Sequence, residues 1–275
     1  MKKFFATLLA TVLLVAAVNP VSAKAGMLIS AKPGDVVVYV TIANGDVKLA
    51  QEPITVKDID NDGALTINDA LYLAHEAKYT GGAAAGYGSA TSQWGLSLTK
   101  LWGVENGGSY GYYVNNASAM GLADPVKNGD YVNAFVYQDT TAFSDKYTYF
   151  DQEVVTGNTG KNITLTLSGA GFDSNWAPVT VPVANATITV DGKKTSYKTD
   201  ANGKVTIKIS ATGRHVVSAV SDTETLVPAV CIVTSEKDAT PKTGDNNMSV
   251  VAVLMVIAAA GVAVSVIYGK KANEQ

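Results

Sequence analysis

The chain has 275 residues, enough for two domains once two end segments of a different character are set aside, and its formal net charge is −3 with a pI near 5.4. Arg214 is the only arginine and no lysine or arginine cluster stands outside the two ends, which argues against nucleic acid as a partner. Cys231 is the only cysteine, so no intramolecular disulfide can staple the fold, and its setting in Ala229-Val230-Cys231-Ile232-Val233 predicts a buried small hydrophobe.

Met1-Lys2-Lys3 precedes an apolar run over residues 4–18 and a small-residue tripeptide, Val21-Ser22-Ala23 or Ala23-Lys24-Ala25. Residues 1–23 therefore read as a secretory signal peptide, with a membrane anchor as the competing reading. Residues 35–42 read as a strand, Asn44-Gly45 is a two-residue hairpin signal, and residues 47–54 pair back.

The next stretch, Asp58-Ile59-Asp60-Asn61-Asp62-Gly63-Ala64-Leu65-Thr66-Ile67-Asn68-Asp69, carries the constrained positions of an EF-hand loop. Asp58, Asp60 and Asp62 fill ligand positions one, three and five, and Gly63 supplies the turn. The Ala64 carbonyl, Thr66 and Asp69 stand at seven, nine and twelve. A shell of oxygens suits a hard cation, so calcium is the expected cofactor. The same residues also fit an Asp-rich turn that starts a helix, with Thr66 as N-cap and Asp69 as its capping-box partner. With Asp at the twelfth position the loop resembles one repeat of the dockerin family, over one loop and one helix. Dockerins bind cohesin through two such repeats, and a single repeat carries over calcium but not cohesin.

Ile67, Ala70, Leu73, Ala74 and Ala77 fall on one stripe of the helix that follows. A Gly/Ala-rich loop over 80–89 holds Tyr87, and strands are predicted at 94–101, 110–115 and 131–137. Two strands, a helix and three further strands make an α+β roll of the β-grasp kind over residues 26–149. The run from Trp94-Gly95-Leu96-Ser97-Leu98 to Trp102, then Tyr110-Gly111-Tyr112-Tyr113-Val114-Asn115, then Asn128-Gly129-Asp130-Tyr131-Val132, resembles the C-terminal domain of transcobalamin and intrinsic factor. That family is a β-grasp, and the resemblance implies corrinoid capture.

Residues 150–235 change to period-two alternation with close-set turns. Ile163, Leu165 and Leu167 alternate with threonines, Ile188 and Val190 lead to Asp191-Gly192, and Val205, Ile207 and Ile209 follow Asn202-Gly203. This predicts an all-β sandwich. The run Pro182-Val183-Ala184-Asn185-Ala186-Thr187-Ile188-Thr189-Val190 is similar to bacterial Ig-like surface modules.

Residues 236–247 form a polar linker that holds Thr240-Pro241-Lys242-Thr243-Gly244. An apolar span over 248–268 follows, long enough to cross a bilayer, and then a basic tail over 269–275 with Lys270 and Lys271. Motif, span and tail in that order resemble the cell-wall sorting signals of Gram-positive surface proteins. The resemblance implies a sortase that cuts between Thr243 and Gly244, attachment to peptidoglycan, and a membrane-spanning precursor.

His75 and His215 are the only histidines and lie in different predicted domains, with no nucleophile motif beside either. The expected function is therefore non-catalytic, a binding or adhesion module. On the last β-grasp strand Val132, Ala134 and Val136 alternate with Tyr131, Phe135 and Tyr137, which leaves an aromatic face with no element assigned to cover it. Tyr131, Phe135 and Tyr137, with Tyr112 and Trp94 and with Tyr110 or Trp102 as further candidates, would form a platform for a glycan, a corrinoid or a protein partner. Two other readings stand beside it: a purely structural surface stalk, whose aromatic face would be covered by protein, and a wall-bound hydrolase accessory.

Overall fold

The computed structural model describes residues 35–175 and 177–237, and within them the chain is mostly β. The predicted signal peptide, the Thr240-Pro241-Lys242-Thr243-Gly244 motif, the apolar span and the basic tail lie outside the described residues. Among the described residues no helix is long and apolar enough to cross a membrane.

Strands β1 (Val36–Asn44) and β2 (Asp46–Val56) form the expected hairpin, closed at Gly45, whose φ of +69° favours glycine. Helix α1 (Ile67–Lys78) and a short α2 (Gly82–Gly86) follow, then a separate hairpin of β3 (Gly88–Ser92) and β4 (Gly95–Lys100). Strands β5 (Tyr110–Val114), β6 (Ala117–Ser118) and β7 (Tyr131–Val136) complete a five-stranded sheet in the order β2-β1-β7-β5-β6. Its central strands β1 and β7 run parallel, and the other pairs are antiparallel.

Alternation along the strands sorts this sheet into two unlike faces. Val38, Val40, Ile42, Val132, Ala134 and Val136 share one buried core with Ile67, Ala70, Leu71 and Ala74 of α1. The aliphatic face thus takes the helix, as the alternation predicts. The helix stripe is shifted from the predicted one: Leu71 and His75 are buried, Leu73 is half-buried and Ala77 is exposed. The predicted loop over 80–89 holds α2 and the start of β3, and the Tyr79 ring lies against Gly86, where it leaves no room for a Cβ.

The second half of the chain is a sandwich of two sheets. Strands β8 (Lys146–Phe150), β9 (Val154–Asn158), β10 (Asn162–Phe172), β11 (Pro178–Pro182), β12 (Thr187–Val190) and β13 (Lys193–Lys198) come first. They are followed by β14 (Lys204–Lys208), β15 (Gly213–Val220), β16 (Leu226–Val227) and β17 (Cys231–Glu236). One sheet runs β11-β10-β8-β16 with β14 beside the first half of β10, and the other runs β13-β12-β15-β17-β9. Leu165, Leu167, Ile188, Ile207, Val217, Cys231 and Val233 fill the space between them. Cys231 is fully buried, and burial pushes its thiol up to about 12. Since β8 belongs to the sandwich, the domain boundary falls a few residues before the predicted one at 149–150.

Gly203 is required where β10 changes partner from β14 to β11. Its φ is +75°, and a Cβ there would overlap the Leu167 carbonyl that accepts from the Val183 N–H. The single-sided strands β13 and β14 carry exposed Lys194, Lys198, Lys204 and Lys208, charges that oppose pairing of their open edges with another chain. The fold so gathers lysines that are scattered in sequence.

Candidate metal centre and the aromatic face

The acidic loop is built from the helix start outward. Thr66 is the N-cap of α1, and the capping box with Asp69 is complete: Asp69 Oδ2 accepts from the Thr66 N–H at 2.8 Å and the Thr66 hydroxyl at 2.8 Å, and Thr66 Oγ1 accepts from the Asp69 N–H at 3.4 Å. The other oxygen, Oδ1, accepts from the Ile59 N–H at 3.0 Å. One buried carboxylate thereby ties the entry of the loop to the first turn of the helix.

Asp58 shapes the turn itself, accepting from the N–H groups of Asp62 at 3.2 Å and Gly63 at 3.0 Å. Those bonds, that from Gly63 foremost, hold its carboxyl below the usual carboxylate range. Asn61 and Gly63 take left-handed φ values of 60° and 87°, which curl the chain back on itself. Asp58, Asp60 and Asp69 each bring a carboxylate oxygen to within 4.8 Å of the others. Ligands about 2.3 to 2.6 Å from a common calcium lie no more than about 5 Å apart, so this spacing fits such an ion. The carboxyl of Asp60 is held above its ordinary range, by partial desolvation first and then by the negative charges of Asp62 and Asp69, and a cation among them would relieve that repulsion.

Two of the sequence-predicted ligands are placed elsewhere. Asp62 Oδ1 accepts from the Ala64 N–H at 2.8 Å, and its carboxylate stands outside the group of three. The Thr66 hydroxyl is used in both directions by Asp69, and the residue, 2 % exposed, serves as the N-cap. Ala64 is fixed in the loop by the Asp62 bond. Asn68 is the residue that sequence reading missed: its Nδ2 donates to Asp60 Oδ2 at 3.2 Å, and its Oδ1 accepts from the buried Tyr87 hydroxyl at 2.7 Å.

The aromatic face is covered. Phe135 is 2 % exposed and lies with Tyr147 of β8 and Val227 of β16 in a core of its own, against which Tyr113, Tyr137 and Tyr149 pack. Tyr113 and Tyr147 stack across the two domains with ring centres 3.6 Å apart and planes at 3°. The cavity at this junction is about 10 Å³, room for one water and not for a sugar ring. Phe135 and Tyr137 are thus joint residues rather than an open platform. Tyr131 is half-buried and stacks on Tyr39 at 5.0 Å. Tyr110 and Tyr112 point the other way, into the helix-side core, because residues 110 and 112 share the pleat of Val132 and Val136. Trp102 is also on the helix side, 5.2 Å from the His75 ring. Trp94 alone of the predicted platform is open, 83 % exposed at the β3–β4 turn.

No protein-family model matches the chain, and no curated protein matches it.

Both histidines are satisfied. His215 bonds Asp191 at 2.8 Å and the Ala211 carbonyl at 3.1 Å. The Trp102 N–H donates to His75 Nε2 at 3.0 Å, so Nδ1 carries the proton and donates to the Leu71 carbonyl at 2.6 Å. Burial pulls the His75 imidazole below its ordinary value of 6.5. A folded state that favours the neutral ring loses stability as pH falls below the unfolded value, since the unfolded chain takes up that proton first. The His75 ring should titrate below 6.5 in NMR, and a titration at 6.5 or above would refute the assignment.

Proposed function

We propose that the protein is a non-catalytic, wall-anchored surface module. In this reading a β-grasp domain and an Ig-like sandwich form one stiff unit, and calcium braces the acidic loop. The observation that carries it is the joint: an aromatic face that is only half of an interface in sequence meets its other half in Tyr147, Tyr149 and Val227. A covered face favours display or a stalk over capture of a corrinoid at that surface. The β-grasp assignment is supported by the parallel central pair β1 and β7 with α1 across one face, and the Ig-like one by β9 running parallel to β17 at a sandwich edge. Asp58, Asp60 and Asp69 would hold the ion, whose charge would pin the loop against the start of α1.

A second reading, glycan binding, rests on Trp94. A ring 83 % exposed at a hairpin tip, with Met120 92 % exposed in the loop after β6, presents the flat apolar surface on which sugar rings stack. Backbone bonds link this region to the acidic loop: the Asn68 N–H donates to the Leu122 carbonyl at 2.9 Å, and the Leu122 N–H donates to Leu96 of β4 at 3.2 Å.

Calcium is tested by melting the full chain with calcium and with chelator. A site of about 10 μM affinity at millimolar calcium adds roughly 2.7 kcal/mol, and the melting temperature should drop by about 5 to 10 °C on chelation. Asp60→Ala should remove that difference; identical wild-type melts, with no calcium retained on dialysis, would refute the site. Wall anchoring predicts chains that end at Thr243 joined to peptidoglycan fragments in mass spectra of a wall digest. Chains still bearing Lys270 and Lys271, found in the membrane fraction alone, would contradict it. For the glycan reading, Trp94→Ala should abolish signals on a glycan array without moving the melt, and an array blank for the wild type would end that reading.

A further inference from the structure

The joint holds one half-buried acid that neither the calcium loop nor the display reading uses. Glu153 stands at the entry to β9, where its own carbonyl accepts from the Ile232 N–H at 2.9 Å. Its carboxylate receives two amides from the other domain: Gln51 Nε2 donates to Oε2 at 2.9 Å, and Asn116 Nδ2 donates to Oε1 at 3.0 Å.

The residues that reach it are held in an uncommon way. Gln51 has φ 45° at an irregularity in the β1–β2 register, and Asn116 has φ 65° in the β5–β6 turn, so two non-glycine residues in left-handed backbone converge on one carboxylate. Each is also fixed from behind. Gln51 Nε2 donates to the Val230 carbonyl at 3.1 Å, and Asn116 Oδ1 accepts from the Tyr147 hydroxyl at 2.9 Å.

The surroundings offer Glu153 no balancing charge. Tyr131 faces it from β7, Tyr147 from β8 and Cys231 from β17, all groups whose protons burial holds well into the alkaline range. Asp151, two residues away, is a further acid near Cys231. Arg214 of β15 donates to the Ala50 carbonyl at 2.6 Å, and none of the ion pairs among the described residues reaches Glu153.

We propose that Glu153 is a proton-operated latch, which ties the mixed sheet to the sandwich more tightly once its carboxyl is neutral. An ionised carboxylate partly withdrawn from water between uncharged amides carries a desolvation cost even when hydrogen-bonded, and the proton removes that cost. The carboxyl C=O still accepts from Gln51. A half-turn of the Asn116 amide gives the new O–H an acceptor, and the Tyr147 hydroxyl tolerates the turn because it accepts as well as donates.

Burial, the larger influence, raises the Glu153 carboxyl above 4.5, against the smaller opposite pull of the Asn116 bond. The folded chain therefore binds this proton more tightly than the unfolded chain. The added stability is fully present below about 4.5 and is lost as pH rises through the folded value. Mild acid locks the joint and neutral pH loosens it.

The test is calorimetry of the full chain at saturating calcium, which keeps the acidic loop out of the comparison, for wild type and Glu153→Gln between pH 4.5 and 8. The difference between the two melting temperatures should change with pH, with the variant the more stable at pH 8 and the two converging toward pH 4.5. A difference that stays flat with pH would overturn the proposal. Carbon-13 titration of the glutamate side chains gives a second reading that does not depend on the variant's stability. The Glu153 signal, assigned by its loss in Glu153→Gln, should titrate above 4.5, and a value at or below that overturns the latch.

Discussion

The structure depends on a sheet that must be covered twice. Strand β7 places aliphatic side chains on one side and Tyr131 and Phe135 on the other, with Tyr137 just past its end and Val132 and Phe135 both at 2 % exposure or less. Helix α1 covers the first side, and no element of the same domain is left for the second. The sandwich supplies that cover through Tyr147 and Val227. Burying an aromatic side chain is worth about 1.5 to 3 kcal/mol, and a well-placed ring pair adds about 0.5 to 1.5 kcal/mol, so the joint is strong enough to couple two domains that each have their own core.

Close packing at the joint is bought with small residues. A Cβ at Gly111 would overlap the Phe135 ring, which lies over β5 at that point, and Tyr113 of the same strand stacks on the Tyr147 ring. Around these rings sits the polar girdle of Gln51, Asn116 and Glu153. Among the described residues every buried side-chain nitrogen and oxygen has a partner, so the girdle is fully satisfied. A girdle of that kind fixes orientation more than it adds stability, because each hydrogen bond replaces one that water would have made.

Local patterns were legible in the sequence to the extent that they obey local rules. The β1–β2 hairpin, the strand at β7, the N-cap at Thr66 and the alternation of the sandwich all follow from spacing within a dozen residues. What the sequence hid was long-range. Tyr112 looks like a member of the aromatic set until the pairing with β7 fixes which pleat it shares. The Glu153 site joins residues 102 and 37 positions apart, and no local pattern marks it. The acidic loop stands between these cases: its turn follows from Gly63, but the withdrawal of Thr66 into the capping box is a competition between two uses of one hydroxyl, which only geometry decides.

That competition also removes the apparent conflict between a capping box and a metal loop. Asp69 is the hinge of both. Its bonds to Thr66 and Ile59 come from uncharged donors, and no positive charge among the ion pairs of the described residues offsets the Asp58, Asp60 and Asp69 group. Carboxylates about 5 Å apart repel by roughly 3 kcal/mol per pair at an effective dielectric near 20, less where water screens them. The capping box thus sets the shape of the loop at the expense of gathering like charges, and an ion at the centre would turn that expense into attraction. The surrounding domain leans the same way, with thirteen acidic against five basic residues over 35–145, while the sandwich over 146–236 carries eight of each, counting arginine and lysine alone as basic. A cation approaching the chain would be drawn toward the acidic half, in which the proposed site lies.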